Sequence, residues 1–300
     1  MMKKRILTVI QRNALIPLII FVTSLFGNLS ESEAIDSGLE DYSVTNIINT
    51  LTSNVDARRM YSSVFNQLGD VTPDIITLLE KLVKSSPKIL DDVTRRWNNP
   101  AEKLSYSNYR KIFITKKRIQ AGKKFHDKYR NLVHKISESS GVDEYLLLAI
   151  VGVESMYGAS HSDYRVVDVF HTIAHDVPRK RKWAEQELLQ YLDYCEKNKI
   201  EPGEIRGSYA AAIGYAQFIP SSLNNYGSDH DGDGRIDPYN WDDALESVAN
   251  YLIKHRYDPN NNMYSEGSSN WKAIYAYNHS RNYVRVVLEF RAELKRIIEF

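Results

Sequence analysis

One apolar segment constrains the fold of this chain more than any other. Residues 145–153 are the long apolar run with helical character, and the run ends at a carboxylate, Glu154. On a helix, Ile150 and Leu147 precede Glu154 by four and seven residues and share its face. Aliphatic neighbours disfavour an ionised carboxylate, so we expect a raised pKa for Glu154, which is the property of a general acid. The alternative is a glutamate that only caps or solvates a buried helix.

The overall composition is that of a soluble globular protein. The chain has 300 residues, 43% hydrophobic and 26% charged, which is enough for one or two domains with a large core. Its 39 basic and 38 acidic side chains leave a net charge of +1. Such a balance gives no field that would attract nucleic acid or an anionic membrane, so we expect neither as a partner. The absence of a nucleophilic serine elbow and of a glycine-rich phosphate loop excludes two further enzyme classes.

Residues 1–34 have the features of an export signal. Basic residues at 3–5 precede an apolar stretch at 14–26, and small and polar residues follow. The best cleavage site, at 32–34, lies late, so the segment is either removed or kept as an N-terminal membrane anchor. The single cysteine, Cys195, falls in a predicted helix and offers neither an intrachain disulfide nor a lipoprotein acylation site. We therefore expect a periplasmic protein.

Helical periodicity dominates the rest of the chain, and few segments alternate with a period of two. The pattern is helical over 42–84, and Pro87, Pro100 and a polar run then mark a connection. Further helices are predicted at 115–139, 183–197, 241–255, 270–277 and 282–298. The sequence thus predicts a nearly all-α fold, with an N-terminal helical region at 35–139 packed on a compact catalytic core at 140–300.

The segment 207–222 is rich in small residues. Glycine and alanine recur every few positions, while Ser208, Tyr215 and Gln217 add directed hydrogen-bonding groups among apolar side chains. Such a mixture suits the wall of a groove that must both approach and orient a sugar. A tightly packed helix is the alternative.

The segment 229–240 has the spacing of a calcium loop. Carboxylates stand at its first, third, fifth and ninth positions, a glycine at the sixth and a backbone carbonyl at the seventh. The twelfth position is Asn240, where a strong site has a bidentate glutamate, so we expect a weak structural calcium site unless Asp242 or Asp243 contributes. An acidic solvated turn is the alternative. No organic cofactor is expected.

Two smaller motifs carry less information. Tyr277 and Asn278, followed by Tyr283, lie where one predicted helix ends and the next begins, and could line the far side of a groove. His171 and His175 have the spacing of metal ligands on a helix, but the sequence offers no third ligand, so we interpret them as structural.

Four motifs in this order resemble the membrane-bound lytic murein transglycosylase B family, glycoside hydrolase family 103. They are 153–158 (Val-Glu-Ser-Met-Tyr-Gly), 207–222, the acidic loop continuing into 243–251, and 277–280 (Tyr-Asn-His-Ser). The similarity also includes 109–115 and extends from about 105 to 290. It implies a lysozyme-like core and cleavage of the β-1,4 bond between N-acetylmuramic acid and N-acetylglucosamine in peptidoglycan glycan strands, with closure of a 1,6-anhydro ring.

The resemblance also implies roles for individual residues. Glu154 matches the sole catalytic acid and base. Arg179 matches an arginine thought to contact the peptide stem, although Lys180 replaces a second arginine and lacks its bidentate fork. The positions that match the sugar groove are Ser208, Gln217, Tyr251, Tyr277, Asn278 and Tyr283. Those that match the calcium loop are Asp229, Asp231, Asp233, Arg235 through its carbonyl, Asp237 and Asn240.

A single carboxylate is compatible with this chemistry. A retaining glycosidase needs a nucleophilic carboxylate about 5 Å from its acid, and the motifs supply no obvious second one. The substrate's 2-acetamido oxygen can attack C1 instead, and the C6 hydroxyl of the same sugar can then complete the reaction. In the family, a sizeable insert precedes the Tyr-Asn motif; here only 258–270 does, so we expect a more open groove on that side.

Two other functions remain open from the sequence. One is a lysozyme-like muramidase, in which water completes the reaction. The other is a peptidoglycan-binding or scaffolding protein that keeps the fold with little turnover, although the presence of Glu154 argues against it.

Overall fold

The computed structural model describes residue 85 and residues 87–98, 104–160 and 163–300. The expected signal or anchor at 1–34 and the helical pattern at 42–84 lie outside these residues. The described part of the chain contains ten α-helices, one 3-10 helix and two strands of two residues each. Their bounds are α1 Asp91–Asn98, α2 Tyr106–Phe113, α3 Lys116–Ser140, α4 Glu144–Ser155, β1 Tyr164–Arg165, α5 Val166–Asp176, the 3-10 helix Pro178–Lys180, α6 Arg181–Asn198, β2 Arg206–Gly207, α7 Pro220–Tyr226, α8 Trp241–Lys254, α9 Ser269–Tyr277 and α10 Arg281–Glu299.

The nearly all-α fold class expected from the sequence is confirmed. The helices predicted from periodicity correspond to α3, α6, α8, α9 and α10, with ends shifted by at most two residues. The long helix α3 begins after Thr115, whose hydroxyl accepts the Arg118 N–H (3.2 Å), and it ends at Gly141 with a left-handed φ of 71°. Local cap chemistry therefore sets both of its ends.

Helices α1 and α5 were not predicted from the sequence, and for a third segment the structure decides whether it is helical. The connection between Pro87 and Pro100 contains α1, a helix of eight residues. The helix α5 was not among the helices predicted from periodicity, and its residues 166–174 are all buried. The segment 208–219 is not a helix: it is a series of turns closed by a bridge between Ile213 and Phe218.

The chain divides into two compact units, each built from two stretches of sequence. The first unit takes its described residues from Met1–Pro100 and Tyr164–Ala211, and the second from Ala101–Asp163 and Ala212–Phe300. The domain boundary predicted at residue 140 falls at the end of α3, inside the second unit, and remains a prediction.

The first unit is built around α5. This helix packs against α1 and α6, while β1 and β2 pair antiparallel with Tyr164 opposite Gly207. Large aromatic side chains fill its interior, among them Phe170, Tyr191 and Tyr194, all fully buried. The sole cysteine, Cys195, is also buried there.

The second unit is built around α4, which packs against α3, α8 and α10. Every residue of α4 from Tyr145 to Val153 is buried, so the apolar run of the sequence is a helix enclosed on all sides. Asp143 caps its N-terminus by accepting the Leu146 N–H (2.8 Å), and Arg291 holds that carboxylate through two hydrogen bonds of 2.8 and 2.6 Å. Among the helices of the described segments, none is long and apolar enough to cross a membrane.

Candidate active site

Glu154 lies in the last turn of α4, at the exit of the buried helix. Three consecutive residues with left-handed φ follow it closely: Met156 (52°), Tyr157 (57°) and Gly158 (77°). The chain therefore turns sharply just after the carboxylate. This turn leaves Glu154 partly accessible to solvent, whereas Val153 and Ser155 on either side are buried.

The electrostatic environment of Glu154 favours its protonated form. Burial of the carboxyl raises its pKa from 4.5 to about 7, and a hydrogen bond from the Tyr283 hydroxyl to Oε1 (2.6 Å) opposes that rise. The direction agrees with the expectation from the sequence. The surroundings are not the aliphatic ones expected from the sequence, because the groups that face the carboxyl are tyrosines. Burial is the main cause of the raised pKa values of Tyr109, Tyr277 and Tyr283, and the negative charge of Glu154 raises them further.

Tyrosines from α8, α9 and α10 form one wall beside Glu154. The rings of Tyr277 and Tyr283 lie parallel, with centroids 6.3 Å apart, and Tyr251 meets Tyr277 edge-on at 4.9 Å. The Tyr277 hydroxyl donates to the carbonyl of Ala216 (2.6 Å), and the Tyr251 hydroxyl donates to the carbonyl of Ala276 (2.8 Å). The structure thus brings Glu154, Tyr251, Tyr277 and Tyr283 together.

The turns at 212–219 reach the same wall through Ala216. Gly214 has a φ of 74°, and a Cβ there would lie 2.3 Å from the Pro238 carbonyl oxygen, so only glycine fits. Gln217 has a φ of 51°, and its Nε2 donates to the Gly214 carbonyl (2.8 Å). Asn278 ends α9 in an extended conformation with an exposed side chain. The small residue Gly214 lets two backbone segments come close together, as expected if this segment forms the wall of a groove.

Ser208 and Arg179 belong to the first unit, which does not carry Glu154. Ser208 is half-buried, and its hydroxyl accepts the Ala210 N–H (3.2 Å). Arg179 is exposed and donates to the Trp97 carbonyl at the end of α1. Lys180, the residue that departs from the family pattern, places its ammonium over the rings of Trp97 (5.7 Å) and Trp183 (5.4 Å).

One tyrosine near Glu154 was missed by the sequence reasoning. The pKa of Tyr109, on α2, is raised by burial and by the Glu154 charge, and its ring packs on Phe113 at 4.9 Å. Tyr109 lies 45 residues before Glu154, and no local pattern connects the two. Only its position in the stretch 109–115, shared with the family, could have drawn attention to it.

The acidic loop 229–240 is organised by its own carboxylates. Asp229 accepts the N–H groups of Gly232 and Gly234 (both 2.9 Å), and these glycines have left-handed φ values of 77° and 86°. The other expected ligands also contact the backbone: Asp231 accepts the Asp233 N–H (3.1 Å), Asp233 the Arg235 N–H (2.8 Å) and Asp237 the Tyr239 N–H (2.8 Å).

Asp243 joins this loop from the first turn of α8. Carboxylate oxygens of Asp229, Asp231 and Asp243 lie within 4.8 Å of one another. Asp243 is buried and accepts the N–H groups of His230 (2.7 Å) and Asp237 (2.8 Å). The Oδ1 atom of Asn240 accepts the Asp242 N–H (2.8 Å) and caps α8. Hard oxygen donors at this spacing fit a calcium ion, and Asp243 adds the charge that Asn240 lacks.

Comparison with known proteins identifies the family of this chain. A family model described as a transglycosylase SLT domain matches residues 43–267. Membrane-bound lytic murein transglycosylase B of Escherichia coli K12 is 30% identical over 213 residues, which cover 68% of this chain and 58% of that protein. The chain thus spans less than two thirds of this relative's length.

Two solved structures have the same fold. The Escherichia coli lytic transglycosylase Slt35, determined in complex with calcium, matches with a TM-score of 0.69 and 25% identity, covering 82% of this chain and 95% of that one. The soluble lytic transglycosylase SltB1 of Pseudomonas aeruginosa matches with a TM-score of 0.67 and 25% identity, covering 71% and 91%. The lysozyme-like fold expected from the sequence is thereby confirmed.

Proposed function

The chain belongs to the transglycosylase SLT domain family, and we propose that it is a lytic transglycosylase of peptidoglycan with Glu154 as its acid and base. The bond cleaved is the β-1,4 linkage between N-acetylmuramic acid and N-acetylglucosamine. The product is a 1,6-anhydromuropeptide. The family relationship supports peptidoglycan as the substrate class, and the geometry of the site supports Glu154 as the acid and base.

The observation that carries the proposal is the state of Glu154. A carboxyl with a pKa of about 7 is protonated in a large fraction of molecules at neutral pH, and after donating its proton it is a competent base at the same pH. Burial and the Tyr283 hydroxyl are the two influences on this pKa, and no carboxylate in the described part of the chain is among them. A mechanism with one carboxylate therefore suits this site.

The proposed reaction proceeds in two steps. Glu154 first donates its proton to the glycosidic oxygen, and the 2-acetamido oxygen of the muramoyl residue attacks C1 as the C1–O bond breaks. The ionised Glu154 then takes the proton of the C6 hydroxyl, whose oxygen attacks C1 and displaces the acetamido oxygen. Glu154 ends protonated, and no water is consumed. Attack within one sugar is favoured because the hydroxyl is already held near C1.

The tyrosine wall is the proposed sugar-binding surface. Aromatic faces pack on sugar rings, and hydroxyl and amide groups at their edges fix the orientation of the sugar. We assign this role to Tyr251, Tyr277 and Tyr283, with Gln217 and Asn278 as polar groups. Ser208 and Arg179 are proposed as further substrate contacts, Arg179 for the peptide stem, and their assignment rests on the family resemblance alone.

The loop 229–240 is proposed as a structural calcium site. Its ligands would be Asp229, Asp231 and Asp243, supported by Asp233, Asp237 and the Arg235 carbonyl. The calcium complex of the relative Slt35 is consistent with this assignment. The ion would neutralise the clustered carboxylates and join the loop to α8, without entering the reaction.

The proposed site of action is the periplasm, where the glycan strands of peptidoglycan are the substrate. Support comes from the basic and apolar residues at 1–34 and from the murein-active relative. The N-terminal segment would direct export and would be either cleaved or retained as an anchor.

Glu154→Gln tests the proposed role most simply. The substitution keeps the shape of the side chain but cannot exchange a proton, so the rate of release of soluble fragments from purified peptidoglycan should fall by about a hundredfold to ten-thousandfold. Glu144→Gln, at the other end of α4, is the matched control and should keep its activity. Activity of Glu154→Gln within about tenfold of the wild type, in a folded protein, would exclude Glu154 as the acid.

A further inference from the structure

We propose that Arg118 is a positioning residue for Glu154. It restrains the last turn of α4 by binding the carbonyls that precede Glu154. The inference rests on the proposed function for its kinetic consequences and on geometry alone for its structural ones. Arg118 lies in the first turn of α3, where the Thr115 cap fixes its backbone, and its side chain reaches α4.

The contact is made to the two peptide groups that immediately precede Glu154. Nη1 of Arg118 donates to the carbonyl of Gly152 and to that of Val153, the latter at 3.3 Å. The guanidinium is half-buried and lies over the ring of Phe113, 5.3 Å from its centroid. A planar, permanently charged donor group is thus held between α2 and the end of α4.

These two carbonyls belong to the last turn of α4 and have no partner within the helix. The last four carbonyls of a helix have no partner within the helix. Met156 adopts a left-handed conformation, and its N–H returns to Val151 instead of continuing the ladder. Since Gly152 and Val153 are buried, their carbonyls would otherwise be desolvated and unpaired. Arg118 donates a hydrogen bond to each of these carbonyls, and its positive charge interacts favourably with the negative end of the helix dipole.

Tyr157 packs against the same turn. Its ring fills a slot left by two glycines: a Cβ on Gly122 would lie 2.4 Å from the Tyr157 hydroxyl, and one on Gly152 would lie 2.5 Å from it. The ring also stacks on Phe125 with centroids 5.0 Å apart. Left-handed φ values at consecutive non-glycine residues are costly and persist only where packing enforces them. The backbone on both sides of Glu154 is therefore fixed.

The functional consequence concerns where the Glu154 carboxyl points. The carboxyl must keep its hydrogen bond from Tyr283 to Oε1 and must also face the scissile bond. Because Glu154 belongs to the last turn of α4, a shift of that turn moves the carboxyl away from both. Misplacement of a catalytic group by about 1 Å can cost about a hundredfold in rate. The hydrogen bonds of Arg118 go to the carbonyls of Gly152 and Val153, so its effect on Glu154 passes through these two residues.

The test compares the two arginines at opposite ends of α4. Arg118→Met keeps the apolar stem of the side chain and removes the donors and the charge. Arg291→Met makes the same change at the N-terminus of α4, where it removes the ion pair with Asp143. Both variants should lose thermal stability. Only Arg118→Met should lower kcat on peptidoglycan, by about tenfold or more, because a misplaced acid slows the reaction. Its KM should be nearly unchanged, since substrate binding is not affected. Arg118→Lys, which keeps a charged donor, should recover most of the loss.

Equal losses of kcat in Arg118→Met and Arg291→Met at matched stability would overturn the proposal, because both would then act only through the fold. A crystal structure of Arg118→Met decides the point even if the wild type proves inactive on peptidoglycan, which would refute only the proposed function. The Glu154–Tyr283 hydrogen bond should be broken in that structure; an unchanged turn and hydrogen bond would refute positioning. If Arg118→Met does not fold, Arg118→Gln replaces it in both measurements, because its polar side chain suits a half-buried position but ends too short of Nη1 to reach the two carbonyls.

Discussion

The Tyr283 hydroxyl donates a 2.6 Å hydrogen bond to Oε1 of Glu154, across 129 residues of sequence. This contact stabilises the ionised carboxylate, while burial of the same group favours its protonated form. The balance leaves the pKa of Glu154 at about 7, where one side chain can both donate and accept a proton.

Tyr283→Phe should move the pH dependence of the reaction upward. The hydrogen bond lowers the pKa of Glu154, so its loss raises that pKa and keeps the acid protonated to higher pH. The alkaline limb of kcat/KM against pH should shift to higher pH. Tyr257→Phe, which loses a hydroxyl contact to the N–H of Asp143 near the start of α4, is the control and should leave the limb in place. A limb that is unmoved in Tyr283→Phe would show that the hydrogen bond does not set this pKa.

Glu154→Gln should be more stable than the wild type at alkaline pH. The folded pKa is raised from 4.5 to about 7, so the contribution of Glu154 to stability is fully present below pH 4.5 and is lost as the pH rises through 7. At about 1.4 kcal/mol per unit, the shift corresponds to about 3 kcal/mol, which the neutral amide avoids. Thermal unfolding at pH 8 should show a higher Tm for Glu154→Gln, and at pH 4 the two values should converge. A constant difference across this range would contradict a raised pKa.

Calcium should stabilise the protein through the loop 229–240. An ion that binds only the folded state raises Tm. Millimolar calcium should therefore raise the Tm of the wild type but not that of Asp231→Asn, which removes one carboxylate of the cluster formed by Asp229, Asp231 and Asp243. Asp242→Asn, an acidic residue of α8 outside that cluster, is the control and should retain the rise. No effect of calcium on the wild type would identify the loop as an acidic turn only.

Tyr157→Phe should leave the fold intact and raise its stability. The Tyr157 hydroxyl is buried and has no hydrogen-bond partner in the described part of the chain, and burial raises its pKa strongly. A desolvated, unpaired hydroxyl costs about 1–3 kcal/mol, so its removal should raise the free energy of unfolding by about 1 kcal/mol. Chemical denaturation measures this change. A loss of stability instead would mean that the hydroxyl has a partner, such as a buried water.

Much of the fold could be predicted from the sequence because local chemistry determines it. The limits of α3 follow from the Thr115 cap and from Gly141, and the buried α4 follows from an apolar run that lacks a polar face. The rise in the Glu154 pKa could be predicted in direction, since any carboxyl at the end of such a helix is desolvated.

The remaining features depend on contacts between distant residues. The turns at 208–219 were open to interpretation as a helix because small residues suit both structures, and the close approach of Gly214 to Pro238 is visible only in three dimensions. Asp243 could be named from the sequence only as one of two possible contributors to the acidic loop, and the role of Arg118 could not be predicted at all. The choice between Asp242 and Asp243 needs the three-dimensional structure, in which Asp243 lies beside Asp229 and Asp231. Arg118 contacts α4 from 34 residues earlier in the chain, and no local pattern connects the two.

Analysis of the reaction products distinguishes a transglycosylase from a muramidase and from a binding protein. Purified peptidoglycan is digested with the protein, and the soluble fragments are analysed by mass spectrometry before and after borohydride reduction. Intramolecular attack by the C6 hydroxyl should outcompete water, because effective molarities of oriented groups exceed the roughly 55 M of water by orders of magnitude. The expected products are 1,6-anhydromuropeptides, each one water lighter than the corresponding hydrolysis product and unchanged by borohydride. Fragments that are mainly reducible would show that water completes the reaction and that the protein is a muramidase, and no fragments at all would show a binding protein.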